Sequence, residues 1–228
     1  MSWRCSTAAG ITSLRHMIVM PAIFRDSRGE EHIQFQSTGS SLRTTIRGFP
    51  ISGTDFDSLT PSGDADVFDL AHGDICGCSI SVWIPVRLVA PGGIRAAHFV
   101  AGIVLGLPTD KGFPDREDIT VALTQPEFSI RSRGDSGWFE DELLSLVRQL
   151  PAGFHFENCL TCGLSDYSPY GHRTFGDLAC FRDAAADYRQ VSSKAGIFQI
   201  WPRLTEYVQE THHCPHYEPR PKGRGYRG

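Results

Sequence analysis

Apolar and polar residues alternate along most of the first 134 positions, and this pattern predicts antiparallel β-strands. Residues 17–24 are apolar, residues 26–29 have the composition of a turn, and residues 30–37 alternate, so together they predict a hairpin. Residues 42–48 alternate again and extend the hairpin into a three-stranded meander.

The longest apolar, β-branched runs, residues 75–89 and 94–107, predict a second hairpin closed by a turn at 90–93. Cys76 and Cys78 lie two positions apart in the first run, so we expect them to share one strand face and to pack in the core. Shorter segments complete this portion: a loop at 53–63 with one helical turn at 55–59, and strands at 118–124 and 127–133.

The hydrophobic period changes after residue 134. Apolar residues now recur every three to four positions and predict an amphipathic helix over 137–150. Asp135 or Ser136 would cap its N-terminus, and Pro151 and Gly153 would end it. A second helix is predicted from Cys180, with an apolar face formed by Phe181, Ala184, Ala185, Tyr188 and Val191.

These elements predict an α+β fold, in which an antiparallel β-rich N-terminal portion packs on the amphipathic helix and on a Cys-rich α/β C-terminal portion. Residues 1–19 carry little periodicity and are expected to be a disordered extension or to precede the working start. The β-rich portion covers 20–134, and the helix with a zinc-knuckle-like portion covers 135–218, the two forming one domain. A basic, Gly-rich tail covers 219–228.

Four of the seven cysteines follow the pattern C-x2-C-x17-C-x33-C, which predicts a tetrahedral zinc site. Four thiolates close the coordination sphere, so the metal is expected to be structural and not catalytic. At the start of a helix, Cys180 would also have a lowered pKa. The predicted ligands are Cys159, Cys162, Cys180 and Cys214.

Other arrangements of these residues stay open. Three cysteines with one histidine could hold the ion, and an iron–sulfur cluster takes the same thiolates. Alternatively, the region could form the floor of an enzyme pocket, or Cys180 could act as a nucleophile. The histidine candidates are His172, His213 and His216, and the pocket would be lined by Tyr167, Asp166, His172 and Arg182.

Charge is unevenly distributed along the chain. The net charge is −4, but residues 220–228 hold four basic side chains and no acid, which leaves 18 basic against 26 acidic side chains elsewhere. The acidic charge of the body favours solubility first, and it would also allow an acidic face for a basic protein partner, whereas nucleic acid is an unfavourable one. Arginines interleaved with Tyr226 would allow weak binding of single-stranded nucleic acid, although a tail that packs across the cysteine region or frays from it is favoured.

Composition and segment lengths also indicate the compartment in which the protein functions. No apolar run approaches the roughly 18 residues of a membrane-spanning helix, and no export signal precedes the odd number of cysteines. We therefore expect a reducing, cytoplasmic compartment and no membrane partner. The chain has 19 arginines and three lysines, a bias that indicates a GC-rich bacterial genome.

Six short motifs give the chain a likeness to a known family. They are Cys159-x-x-Cys162-x-x-Ser165-Asp166-Tyr167-Ser168-Pro169, Gly176-Asp177-Leu178-x-Cys180-Phe181-Arg182, Gln209-Glu210-Thr211 with Cys214-Pro215, Gly225-Tyr226-Arg227-Gly228, Leu42-Arg43-Thr44-Thr45-Ile46-Arg47-Gly48 and Phe139-Glu140-Asp141-Glu142-Leu143. On these motifs the chain resembles an uncharacterised bacterial domain-of-unknown-function family, mainly from actinomycetes. The resemblance covers nearly everything after Met20 and implies no activity. Related-looking proteins include immunity proteins of toxin systems, which implies binding rather than catalysis.

The sequence thus predicts a zinc-stabilised, cytoplasmic protein-interaction module of unknown partner, with an immunity-like or an accessory role. An enzyme with a pocket beside residues 159–182 is the first alternative. Weak binding of single-stranded nucleic acid through the tail is the second.

Overall fold

The computed structural model describes residues 17–63, 65–169, 175–176 and 178–226. Antiparallel strands dominate, with a few short helices, which confirms the expectation of an α+β chain. The strands are β1 (Ile18–Asp26), β2 (Gly29–Ser37), β3 (Leu42–Ile46), β4 (Phe49–Gly53), β5 (Thr60–Pro61), β6 (Asp69–Ala71), β7 (Asp74–Cys76), β8 (Cys78–Ala90), β9 (Gly93–Leu105), β10 (Glu117–Gln125), β11 (Phe128–Arg131), β12 (His155–Phe156), β13 (Ser165–Tyr167), β14 (Leu178–Cys180) and β15 (Glu206–Val208). The α-helices are α1 (Phe139–Gln149), α2 (Ala185–Tyr188) and α3 (Lys194–Ile200).

One large antiparallel sheet has the strand order β11-β10-β9-β8-β1-β2-β3-β4-β5, and β12 pairs with β8. The strands β6 and β7 form a separate hairpin, and β13, β14 and β15 form a small sheet in that order. The long hairpin of β8 and β9 lies at the middle of the large sheet. It pairs continuously from Cys78 opposite Leu105 to Ala90 opposite Gly93, so the predicted turn at 90–93 is confirmed.

Alternation explains why these segments form strands. Along β8 every second side chain is buried, so one face lies on the core and the other faces outward. The predicted hairpin and meander at 17–48 are also confirmed, because β1 pairs with β2 and β2 with β3. Since β1 begins at Ile18, residues 18 and 19 belong to the sheet and not to an N-terminal extension. Residues 1–16 of that predicted extension lie outside the described residues.

The helix α1 is confirmed, but its predicted cap is wrong. Trp138 occupies the N-cap position and makes no side-chain cap hydrogen bond. The buried Glu142 instead accepts hydrogen bonds from the Gly134 amide at 2.8 Å and from the Ser136 amide at 3.1 Å. Burial opposes ionisation, but hydrogen bonds from Ser132, Ser136 and Gly134 outweigh it and hold the pKa of Glu142 below its usual range.

Two local predictions in the β-rich portion are also wrong. The chain at 54–57 forms bends and no helical turn, because the residues around it pair into β4 and β5. Cys76 and Cys78 do not share a strand face, since Gly77 separates β7 from β8. Both cysteines are nevertheless buried in the main core, as expected.

The main hydrophobic core continues from the large sheet into the Cys-rich portion. Phe175 stacks on Phe56 with ring centroids 4.9 Å apart and meets Phe139 of α1 edge-on at 4.9 Å. The same core includes Cys159 and Leu160. A second, smaller cluster lies beyond it and consists of Cys162, Leu164, Ala179, Phe181, Tyr188, Val191 and Ile197.

A polar contact ties the segment after β15 to the turn between β2 and β3. The buried Ser37 hydroxyl donates to the Gln209 side-chain oxygen at 2.5 Å, and the Gln209 amide donates to the Gly39 carbonyl at 2.7 Å. The C-terminal region is therefore fixed to the large sheet by hydrogen bonds as well as by apolar packing. Of the helices in the described ranges, none is both long and apolar enough to cross a membrane.

We expect Gln209→Ala to lower the free energy of unfolding by about 1–3 kcal/mol, because the buried Ser37 hydroxyl then loses its acceptor. Urea unfolding of the purified chain measures the change. Gln36→Ala is the matched control, because Gln36 is exposed on β2, and its effect should stay within about 0.5 kcal/mol. Equal losses in the two variants would show that the buried contact contributes nothing.

Candidate metal site and the C-terminal strap

The first two predicted ligands lie on one 3₁₀ turn, Cys159–Thr161, and at its end. The side-chain oxygen of Asn158 caps the turn by accepting from the Thr161 amide at 3.2 Å, and the Cys162 amide donates to the Cys159 carbonyl at 3.2 Å. The Ser165 hydroxyl donates to that same carbonyl at 2.5 Å. These bonds hold the two cysteines close together on one compact turn, residues 159–162, which is the cysteine turn.

Cys180 ends β14 and does not begin a helix, so that prediction is wrong. It pairs with Ser165 of β13 on one side and with Glu206 of β15 on the other. A 3₁₀ turn over Arg182–Ala184 and the four-residue α2 follow it in place of one continuous helix. Because β13 begins three residues after Cys162, the pairing of β13 with β14 brings Cys180 back beside the cysteine turn.

Cys214 follows β15 in a segment that runs along the cysteine turn. The amide of Cys159 donates to the His212 carbonyl at 2.8 Å, and that of Leu160 donates to the Glu210 carbonyl at 2.9 Å. Further along, the Gly163 amide donates to the Glu218 carbonyl at 2.7 Å. The backbone therefore places Cys214 against Cys159.

The four predicted ligands affect one another's ionisation. A hydrogen bond between Cys159 and Cys214 is the largest influence on both: it raises the pKa of Cys159 well above the usual thiol range and lowers the pKa of Cys214 to about 6. Cys159 and Cys214 thus titrate as one coupled pair. Burial raises the pKa of Cys162 and of Cys180, and the nearby Cys214 charge raises both further.

Backbone amides favour the thiolate form of three of the sulfurs. Glu218, followed by Leu164, lowers the pKa of Cys162 against the effect of burial, Arg182 does the same at Cys180, and His216 contributes to the lowered pKa of Cys214. At Cys162 the larger of the two amide contributions therefore comes from the C-terminal segment and not from the turn that follows the cysteine. The guanidinium of Arg182 adds a further donor, 3.8 Å from the Cys180 sulfur.

The thiols are neighbours without forming a closed coordination sphere. Within the described ranges, no three side chains of His, Cys, Asp or Glu converge as a metal-binding group. Metal binding at the four cysteines would therefore require their sulfurs to draw together around the ion.

The histidine alternatives differ in position. The Nδ1 atom of His213 lies 3.2 Å from the Glu157 carbonyl, and burial, followed by the charge of Arg87, lowers the pKa of His213. His216 lies close enough to Cys214 to lower its pKa electrostatically. His172 lies outside the described residues.

Cys76 and Cys78 are a separate pair in the core of the large sheet. Burial raises the pKa of Cys76 to about 11 and that of Cys78 to about 12. Such thiols stay protonated at neutral pH and behave as small apolar groups.

A buried carboxylate next to the cysteine turn was not foreseen from the sequence. Asp166 is 0% exposed, and its Oδ2 atom accepts from the Tyr188 hydroxyl and from the Tyr226 amide, both at 3.0 Å. Its Oδ1 atom accepts from the Tyr167 amide at 3.0 Å. The enzyme alternative required Asp166 and Tyr167 to line an accessible pocket. Both are interior residues instead.

Residues 219–226 form a strap that packs over this carboxylate. The Arg220 guanidinium donates to the Ser165 carbonyl, to the Tyr188 hydroxyl at 3.3 Å and to the Arg224 carbonyl at 3.1 Å. The Gly225 amide donates to the Val191 carbonyl at 3.0 Å. The strap's arginines therefore serve intramolecular contacts, in keeping with the expectation that the tail packs on the cysteine region.

Comparison with known proteins places this chain in a family but assigns it no activity. The model of a family of unknown function (DUF6304) matches residues 18–165. This range includes Cys159 and Cys162, whereas Cys180 and Cys214 lie beyond it. No curated protein and no solved structure matches the chain.

Gly225→Ala should destabilise the strap far more than Gly223→Ala, its matched control. Both glycines have positive φ angles, +78° and +74°, so each substitution incurs backbone strain of about 1 kcal/mol. A Cβ at 223 meets nothing within 4 Å, whereas a Cβ at 225 would collide with the Asp166 carboxylate and lie 2.6 Å from the Tyr188 hydroxyl. We expect a further loss of about 2 kcal/mol at 225, measured by urea unfolding. Equal losses at both positions would contradict the packing of the strap on Asp166.

Proposed function

We propose a role for this chain from its own residues, since it belongs to the DUF6304 family of unknown function. The proposed role is that of a protein-interaction module whose Cys-rich portion is stabilised by one zinc ion. The proposed ligands are Cys159, Cys162, Cys180 and Cys214. The zinc would be structural, because four thiolates leave no open position for a substrate or water.

The observation that carries the proposal is that backbone pairing brings the four cysteines near one another, with backbone amides that favour the thiolate form of three of them. A neutral thiol is a weak acceptor, so such donors have little value unless the sulfur carries negative charge. A metal ligand must be deprotonated, and hydrogen bonds around the ligands stabilise that state. The lowered pKa of Cys214 beside Cys159 supports the same conclusion.

Nearby cations would offset the charge of the site. One zinc ion with four thiolates carries a net charge of about −2. Burial raises the pKa of Cys180 and of Cys162, and the charges of Arg182 and Arg220 respectively oppose that rise, while Arg182 also contributes to the lowered pKa of Cys214. Arg182 itself forms an ion pair with Glu206 at 2.5 Å, which fixes its position beside the sulfurs.

The metal would add a further link between three segments that backbone hydrogen bonds already hold side by side. The strands β13, β14 and β15 are three residues long each, and the second hydrophobic cluster contains seven buried residues. Ions in small metal-bound portions contribute directly to folding free energy. We therefore assign the ion the role of joining the cysteine turn, β14 and the segment at Cys214.

The proposed partner is a protein with a basic surface. Asp57, Asp74 and Glu117 line one concave surface together with Phe113, which is 63% exposed. Carboxylates beside an exposed aromatic ring suit lysine and arginine side chains. An immunity-like or an accessory role in the bacterial cytoplasm fits such a surface, and the proposal includes no membrane or nucleic-acid partner.

The two alternatives have less support. Of the residues proposed for the enzyme pocket, Asp166 and Tyr167 are buried, and Arg182 is paired with Glu206. For nucleic-acid binding, Arg220 is engaged with Ser165 and Tyr188, so the tail presents less free charge than its composition indicates.

The metal proposal is tested by zinc content and stability. The purified chain should contain about one zinc per molecule. Cys162→Ser should lose the ion and lower the free energy of unfolding by several kcal/mol, because it removes a ligand and with it the linkage of the three segments. Zinc is measured by mass spectrometry, and stability by thermal unfolding with and without a chelator.

Cys76→Ser is the matched control, since Cys76 is equally buried but lies in the main core. It should keep its zinc. Cys214→Ser and His216→Ala distinguish the fourth ligand, and visible absorption of the purified protein would reveal an iron–sulfur cluster instead. Zinc content and stability that are unchanged in Cys162→Ser would show that the site is wrong.

A further inference from the structure

A second concave site lies between β11 and α1. Its volume is about 610 Å³, within the range of small-molecule sites. Arg131 and Arg133 line it from the strand side, and Ser145, Arg148 and Gln149 line it from the helix. The proposal made above does not involve any of these residues.

The charges of the arginines in this groove are not used inside the described part of the protein. In the ranges that the structure describes, the guanidinium groups of Arg131, Arg133 and Arg148 form no ion pair and no hydrogen bond. Most other arginines are engaged: Arg25, Arg47, Arg87, Arg95, Arg116, Arg182, Arg189 and Arg203 each pair with a carboxylate. Three free guanidinium groups in one concavity thus offer donors to a ligand.

The buried carboxylate of the groove does not compete for these donors. Glu142 lines the same groove but is 2% exposed, and it is already satisfied by Gly134 and Ser136. Its charge is stabilised by neutral donors, so the arginines are not needed for it. Asp135 and Asp141 are exposed at the end of the groove where α1 begins, and they repel an anion from that end.

The basic end of the groove is also held in place. The Gln149 side-chain amide donates to the Arg131 carbonyl at 3.1 Å and to the Ser145 carbonyl at 3.0 Å. It therefore ties the last turn of α1 to the edge strand β11. A wall fixed before the ligand arrives loses less conformational freedom on binding.

We propose that this groove binds a small ligand through an oxyanion group, a phosphate or a carboxylate, held by Arg131, Arg133 and Arg148. The planar guanidinium matches both anions with paired hydrogen bonds. The acidic end sets the direction of the ligand, because the remainder of the molecule faces Asp135 and Asp141. These side chains accept hydrogen bonds from hydroxyl or ammonium groups.

Binding of inorganic phosphate and of succinate to the full chain tests the proposal, by calorimetric titration at low ionic strength. Saturable binding of either probe is expected. Arg131→Gln, Arg133→Gln and Arg148→Gln should each weaken it about tenfold, because each removes a charge-assisted hydrogen-bond donor. Asp141→Asn should strengthen it about twofold, since it removes a like charge. Binding of phosphate alone, of succinate alone or of both would show which oxyanion the groove accepts.

Arg43→Gln is the matched control, because Arg43 is an exposed arginine of β3 outside the groove. It should change the affinity by less than about twofold, since screening weakens distant charges. If neither probe binds, or if Arg43→Gln weakens binding as much as the groove variants do, the proposal is overturned. Urea unfolding of each variant verifies that the surface substitutions leave the fold intact.

Discussion

The pairing of residues 209–218 with the cysteine turn is the constraint on which the C-terminal region depends. Amides of Cys159, Leu160 and Gly163 all donate to carbonyls of this segment. The contact joins positions fifty or more residues apart, so it has a high loop-closure cost that local strands of three residues cannot offset. Apolar packing of Phe175, the bond between Ser37 and Gln209, and the strap over Asp166 each add a further anchor. The four thiols are close together only because all of these anchors hold.

The β-rich portion could be predicted well because its information is local. Strict alternation specifies which face of each strand is buried, and turn residues such as those at 90–93 specify where the chain reverses. The period of α1 was equally clear. Its cap was missed because Glu142 is held by loop amides from outside the helix, an arrangement that no spacing rule describes. The break between Cys76 and Cys78 was missed for a similar reason, since a single glycine interrupts an otherwise continuous apolar run.

The C-terminal region was harder to predict because its strands are specified by tertiary contacts. The apolar positions after Cys180 fit a helix, yet pairing of Leu178–Cys180 with two other strands decides the structure there. The spacing of the cysteines predicts a shared site but does not show which groups would stabilise the sulfurs as thiolates. Amide donation to Cys162, Cys180 and Cys214 depends on backbone geometry, which spacing alone does not specify. Asp166 was missed as a structural residue because burial of a charge is not visible in a sequence.

Coupling between the proposed metal and the strap would follow from the elements that they share. Ser165 pairs with Cys180 in the small sheet, its carbonyl accepts from Arg220, and the next residue is the buried Asp166. Arg220 also opposes the rise that burial causes in the pKa of Cys162, so one side chain acts on both the thiols and the carboxylate network. A bound ion that drew the cysteines together would therefore tighten β13 against β14 and stabilise the strap. Conversely, loss of the strap would remove Arg220 and make the thiolate form of Cys162 less favourable. Metal binding and the packing of the strap should therefore weaken together.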